Sequence, residues 1–169
     1  MNQIGRVDYQ KMPSQAKQMR EEGKRLSSEM TKVYNSIKNM HNAWYGKRYN
    51  KLAKSFNDLR PDINDMLTLI VTDVPYALET IANNYSSTDN EGQKVTTAEK
   101  TVVKSVESIP VKEDVGMRFV LSTVSDIQSQ VSNSFDKAKE NINKIDSIRA
   151  KIVWDGDAAT EFNNKFKKL

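Results

Sequence analysis

The stretch Ala43-Trp44-Tyr45-Gly46-Lys47 separates two long runs of helical apolar spacing. Before it, the apolar stripe is Met12, Ala16, Met19, Gly23, Leu26, Met30, Val33, Ile37 and Met40. After it, the stripe is Tyr49, Leu52, Phe56, Leu59, Ile63, Met66 and Ile70, then Val74, Ala77, Ile81 and Tyr85. Steps of three and four place each stripe on one helix face. Because neither face can be buried alone, the pattern predicts an antiparallel hairpin of helices ending near residue 42 and spanning about 47–84.

Glycine and proline add local expectations to this hairpin. Gly46 suits the bend because a tight reversal often needs positive φ, and the Trp44 ring can lie across both helices there. Gly23 interrupts the first stripe, so it either allows another helix to approach closely or is a tolerated weak point. The second stripe keeps its phase across Pro61, so Pro61 and Pro75 predict kinks within one helix.

The Trp-x-Gly pattern occurs a second time, in Val153-Trp154-Asp155-Gly156, where Trp154 follows Trp44 by 110 residues. A third apolar stripe leads into it and predicts a helix over about 114–152. The members of that stripe are Met117, Val120, Val124, Ile127, Val131, Phe135, Ala138, Ile142, Ile145, Ile148 and Ile152. A fourth helix starts at Asp155 or Gly156 and reaches Leu169 without a Gly or Pro stop, so this helix looks truncated.

The segment between the two hairpins has weaker signals. Ser86 to Gly92 is a polar stop, and Val102, Val106 and Ile109 have the spacing of a short amphipathic helix that Pro110 ends. The predicted organisation is therefore a hairpin over residues 1–90, a linker over 91–113 and a shortened second hairpin over 114–169. The predicted fold class is all-α, with the two hairpins packed as an elongated four-helix bundle.

Composition excludes several classes of site. The chain has 169 residues, no cysteine and one histidine, His41, which rules out disulfide frameworks and thiol catalysis. No phosphate loop, nucleophile elbow or metal spacing appears, so we expect no catalytic residue, no metal and no cofactor. The net charge of +4 is spread out, with no basic block longer than a pair, which disfavours nucleic acid as a partner.

A hairpin of about 90 residues with Trp-x-Gly at its bend resembles the WXG family of small helical proteins, also called early-secreted-antigen-like. Members of that family are substrates and chaperone-like partners of bacterial type VII secretion. The resemblance implies that Trp44 and Gly46, and by repetition Trp154 and Gly156, are hairpin-turn residues. It also implies that Tyr85 and Asp89 form the Tyr-x-x-x-Asp export signal that follows the second helix. The second unit lacks such a tail motif.

The resemblance further implies how the protein acts. We expect a non-catalytic secretion substrate or targeting partner that meets the type VII machinery with its ATPase, and another WXG-type protein as a second candidate partner. Residues 1–11 lack the apolar stretch of a signal peptide, so export to the medium or cell surface would start in the bacterial cytoplasm and use no cleaved signal. The alternative is a helical scaffold or membrane-active effector domain, which leaves membrane contact open.

Assembly is the last expectation. A single hairpin leaves part of each apolar stripe exposed to solvent. Relatives of this family bury that part by pairing two hairpins. The second hairpin here is tethered to the first, so docking within one chain is favoured by a high effective concentration. We therefore expect a monomer with an internal pseudo-dimer, with a homodimer as the alternative.

Overall fold

The computed structural model describes residues 9–88, 98, 100–111, 116–154 and 157–166. Its main elements, in chain order, are α1 (Met12–Met40), β1 (Trp44–Tyr45), α2 (Lys47–Thr68), a π turn (Leu69–Asp73), α3 (Val74–Thr88), β2 (Arg118–Phe119), α4 (Leu121–Lys151) and α5 (Asp157–Phe166). The predicted all-α class with helical hairpins is confirmed. An antiparallel sheet of two strands, β1 and β2, with two residues each, is the one β feature of the described part of the chain.

Two compact units divide the chain. Unit 1 comprises Met1–Lys24, Met66–Val103 and Ile142–Leu169, and unit 2 comprises Arg25–Asp65 and Lys104–Asn141. The long helices α1 and α4 therefore each contribute one half to either unit.

In unit 2, α1 and α2 form the predicted antiparallel pair. The hydroxyl of Tyr49 on α2 donates to the Ile37 carbonyl on α1 at 3.0 Å, and the rings of Tyr34 and Phe56 lie 6.4 Å apart. The α1 stripe in this unit (Leu26, Met30, Val33, Ile37, Met40) is buried as predicted. Pro61 lies inside α2, which continues through it, so the proline starts no new domain.

In unit 1, α1 packs against the π turn and α3. A β-carbon at Gly23 would lie 2.6 Å from Val71 Cγ2 and 2.7 Å from Ile70 Cγ2. Only a residue without a side chain allows this approach, so the first of the two interpretations of Gly23 is the correct one. Nearby, Arg20 Nη2 donates to Glu79 Oε1 at 2.7 Å, an ion pair that is mostly buried between α1 and α3.

The π turn has its cause in the sequence. Pro75 has no N–H to donate to the Val71 carbonyl, and its ring would collide with that carbonyl in a regular helix. The Val74 N–H instead donates to the Leu69 carbonyl five residues back, which inserts one extra residue into the turn. Pro75 thus produces a π turn where the sequence predicted a kink.

Helix α4 lies antiparallel to α1 in each unit. In unit 1, Gln15 Nε2 donates to the Lys151 carbonyl at 3.1 Å. In unit 2, Arg25, Ser28 and Glu29 of α1 line one shallow cavity with Lys137, Glu140 and Asn141 of α4. In unit 1, α5 lies against α3, and Arg149 Nη1 at the end of α4 donates to Asn163 Oδ1 of α5 at 2.9 Å.

The α4 core differs from the predicted stripe at four residues. Met117 precedes the helix and is 82% exposed, and Phe135 is 41% exposed, whereas Ser134 and Asn141 are buried. The buried face of α4 therefore combines the polar residues Ser134 and Asn141 with four apolar ones, Val124, Ala138, Ile145 and Ile148. The apolar count alone had placed Phe135 in the core because it keeps a four-residue step from Val131.

The predicted short helix before Pro110 is wrong. Residues 100–111 form no helix, and Val102 is exposed, while Val106 and Ile109 are buried. Residues three apart lie on one face of a helix, which is why the spacing predicted one. Here the segment is extended instead, and its backbone is bound by side chains of α2, as described below.

Candidate functional site: the two Trp-x-Gly bends and the end of α3

The first bend is built from a chain reversal followed by a strand pair. Helix α1 ends in three backbone hydrogen bonds that each join residues three positions apart, the last from the Ala43 N–H to the Met40 carbonyl at 3.0 Å. Trp44 and Tyr45 then pair with Phe119 and Arg118, and the Val120 N–H donates to the Ala43 carbonyl at 2.8 Å. The bend is therefore tied to the segment that enters α4.

Gly46 starts α2 with a backbone that favours glycine. Its φ is +129°, and its carbonyl accepts the first helical bond, from the Asn50 N–H at 3.0 Å. A side chain at this φ strains the backbone. The expectation that the bend needs a positive φ here is met by this geometry.

Trp44 lies among other rings at this bend and is half-buried. Its ring meets Tyr49 of α2 edge-on at 5.8 Å and Phe119 of β2 edge-on at 6.1 Å. The His41 ring also lies beside Tyr49, with ring centroids 4.9 Å apart. Edge-to-face arrangements of this kind add to the burial of large rings. The lone histidine thus belongs to an aromatic cluster.

The described residues around Trp154 differ from those around Trp44. Residues 152–154 follow α4 without regular structure, and Trp154 is only 9% exposed. Phe162 on α5 is fully buried. Gly156 lies outside the described residues.

Tyr85, the first residue of the predicted export signal, lies near the end of α3 and is 40% exposed. Its ring stacks on that of Tyr9 with centroids 5.7 Å apart and planes inclined by 18°. Asp89 lies outside the described residues. The sequence analysis did not identify Tyr9 as a neighbour of Tyr85.

Tyr85 lies off the buried stripe of α3. The buried apolar positions are Val74, Leu78 and Ala82, whereas Ala77 and Ile81 are half-buried. The predicted stripe of α3 is therefore wrong from Ala77 onwards, because the π turn shifts the helical phase by one residue. This shift leaves one side of the Tyr85 ring accessible.

The described residues offer neither a cluster of metal ligands nor a membrane-spanning helix. Within the described ranges, no three or more His, Asp or Glu side chains are grouped so that they could hold a metal ion. The same residues include no helix that is both long and apolar enough to cross a membrane.

The fold and the bend define a class: a helical-hairpin protein with Trp-x-Gly between its two long helices. Residues 5–90 match the family model WXG100, described as proteins of 100 residues with WXG. This match covers more than half of the chain, so the chain belongs to the WXG100 family, whose members are type VII secretion substrates exported without a signal peptide. No curated protein and no solved structure matches the chain significantly.

Proposed function

We propose that this protein is a non-catalytic substrate of bacterial type VII secretion, or a chaperone-like targeting partner of another substrate. The observation that carries the proposal is the WXG100 match over residues 5–90, together with the antiparallel α1–α2 pair joined at Trp44-x-Gly46. The protein acts through helical surfaces, and its partners are the secretion ATPase and, as a second candidate, another WXG-type protein. It leaves the cytoplasm without a cleaved signal and is found in the medium or at the cell surface.

Tyr85 and Asp89 are the proposed export signal. Support comes from the position of Tyr85 near the end of α3 and from its partial exposure. Stacking on Tyr9 restricts the ring, which reduces the side-chain entropy that is lost when a receptor binds it.

The test measures export of tagged protein in the native host. Tyr85→Ala and Asp89→Ala should each abolish accumulation in the culture supernatant while the intracellular level and the helical circular dichroism stay unchanged. Tyr76→Ala, in the same helix, is the matched control and should be exported normally. Removing the ATPase should retain every variant in the cell. Normal export of the Tyr85→Ala/Asp89→Ala double variant would overturn the assignment of the signal.

The proposed assembly is a monomer with an internal pseudo-dimer. Its support is the packing of α4 along α1 within each unit and of α5 against α3 in unit 1. Sedimentation at micromolar concentration should give one species near 19.3 kDa. A species of twice that mass that persists after deletion of residues 91–169 would show instead that the first hairpin dimerises by itself.

A membrane-active effector is the second candidate, and one observation favours it. Met117, Phe119 and Leu121 are exposed apolar side chains next to the first bend. Under this alternative, the protein should cosediment with lipid vesicles, and Phe119→Ser/Leu121→Ser should weaken that binding without affecting export.

A further inference from the structure

Two asparagines on α2 hold the main chain of a distant extended segment, Lys104–Val111, which we call the strap. Asn57 Nδ2 donates to the Ile109 carbonyl at 2.9 Å, and Asn57 Oδ1 accepts from the Ile109 N–H at 2.6 Å. Asn64 does the same with Val106, at 3.1 and 2.7 Å. Each amide thus satisfies both backbone groups of one residue, which is the way a β-strand neighbour would bind it.

The spacings of the two asparagines and of their targets agree. Seven residues of α-helix separate Asn57 from Asn64, a rise of about 10.5 Å. Three residues of extended chain separate Val106 from Ile109, a length of about 10 Å. Both amides therefore engage at once only if the strap is extended and runs antiparallel to α2.

Apolar anchors supply the rest of the contact. Val106 is 3% and Ile109 is 2% exposed, whereas Glu107, Ser108 and Pro110 are exposed. From the α1 side, the Tyr34 hydroxyl donates to Glu107 Oε2 at 3.3 Å. Main-chain hydrogen bonds with buried side chains at set intervals are the features by which proteins recognise extended peptides.

We propose that the surface of unit 2 around Asn57 and Asn64 is a binding site for an extended peptide with apolar residues three positions apart. The strap fills this site as a tethered ligand, and the site accepts the strap of a second copy of this chain when its own is displaced. The second copy is the proposed partner because its strap has the one sequence whose fit to this site the structure displays. The tether gives the resident strap an effective concentration near millimolar, so exchange is suppressed in the intact monomer.

The first experiment uses a fluorescent peptide of residues 104–111 and the full-length protein. In the Val106→Thr/Ile109→Thr variant the resident strap is weakened, because each anchor then buries a hydroxyl and Ile109 also loses apolar volume. The labelled peptide should therefore bind this variant more tightly than it binds wild type. Adding Asn57→Ala/Asn64→Ala should reduce that affinity by about tenfold or more, since the N–H and the carbonyl of both anchor residues, Val106 and Ile109, lose their partners. Asn133→Ala, on exposed α4 surface, is the control and should change nothing. A peptide with aspartate at both anchor positions should not bind.

The second experiment tests the partner by complementary defects. The Asn57→Ala/Asn64→Ala protein has an intact strap but a weakened binding site. The Val106→Thr/Ile109→Thr protein has an intact binding site but a weakened strap. Mixing them should produce a species heavier by sedimentation than either protein alone. Peptide binding without such a species would overturn the second copy as the partner.

Either set of variants can fail to fold, so a measurement on milder variants completes the test. Hydrogen exchange of the Val106 and Ile109 amides should accelerate by about tenfold or more in the single variants Asn64→Ala and Asn57→Ala respectively, each at its own amide. Unchanged exchange at both amides, or equal peptide binding with and without the asparagines, would overturn the proposal. Because none of these readouts involves export, failure here leaves the proposed secretion function untouched, and the reverse also holds.

Discussion

The two Trp-x-Gly bends share a motif and differ in what surrounds the tryptophan. Trp44 is half-buried, and its neighbourhood includes a strand pair and the rings of Tyr49 and Phe119. Trp154 is buried at the end of α4, where the described residues before it have no strand partner. The first bend is held by hydrogen bonds and ring edges, and the second by burial. The repeated motif therefore does not determine the surroundings of its tryptophan.

The largest expected effect is at the second bend. Trp154→Ala should lower the free energy of unfolding by about 3–5 kcal/mol, the range for a buried tryptophan. Trp44→Ala should cost less, about 2–3 kcal/mol, because its ring is already partly hydrated. Urea denaturation of both variants checks the order. If Trp44→Ala is the costlier change, ring contacts at the first bend outweigh burial at the second.

Gly46→Ala should have a smaller effect, about 1–2 kcal/mol, because an L-residue at positive φ is strained. The added β-carbon meets Met117 at an ordinary distance, so the cost is in the backbone and not in a clash. Thermal unfolding measures the loss. Gly156→Ala is the matched variant. If both substitutions cost the same stability, the two motifs share a requirement for glycine in the main chain; if Gly156→Ala is neutral, they share only the tryptophan.

Phe119→Ala should have the smallest effect, about 0.5–1.5 kcal/mol, the value of one aromatic pair. Phe119 is 54% exposed, so its loss removes the edge contact with Trp44 and little burial. In the Trp44→Ala background the same substitution should cost almost nothing. A double-mutant cycle by urea denaturation gives the coupling, with Leu121→Ala as an exposed apolar control. Additive losses would show that the ring pair contributes no stability.

The sequence predicted α1 almost residue by residue, because its stripe carries no proline and each apolar step falls on one face. It failed beyond Pro75, where the π turn changes the phase, and no apolar count reveals an inserted turn. It also failed at the strap, since the spacing of Val106 and Ile109 fits a helix as well as an extended chain bound by Asn57 and Asn64. The seven-residue separation of those asparagines, which places them on one face of α2, is the pattern that could have indicated the contact. It can be interpreted only once the segment that they bind is known.

The candidate site was predictable in part for the same reason. Trp44, Gly46 and Tyr85 are visible in a linear pattern, because bends and helix ends are local features. Tyr9 and Phe119 are not, since their roles come from contacts with Tyr85 and Trp44 that join distant parts of the chain. Long-range ring contacts have no period that a single sequence displays.

Because of the π turn, the number of residues before α3 determines the angle at which its side chains project from the helix axis. Loss of one codon within Leu69–Asp73 would leave the apolar composition of the helix nearly unchanged and would turn every later residue by about 100° about the axis. Tyr85 would then face a different side of its unit, although no residue near it had been replaced. A deletion in the π turn would therefore act on α3 as a rotation about its axis. Which side chains of its last turn are exposed depends on the number of preceding residues as much as on their identity.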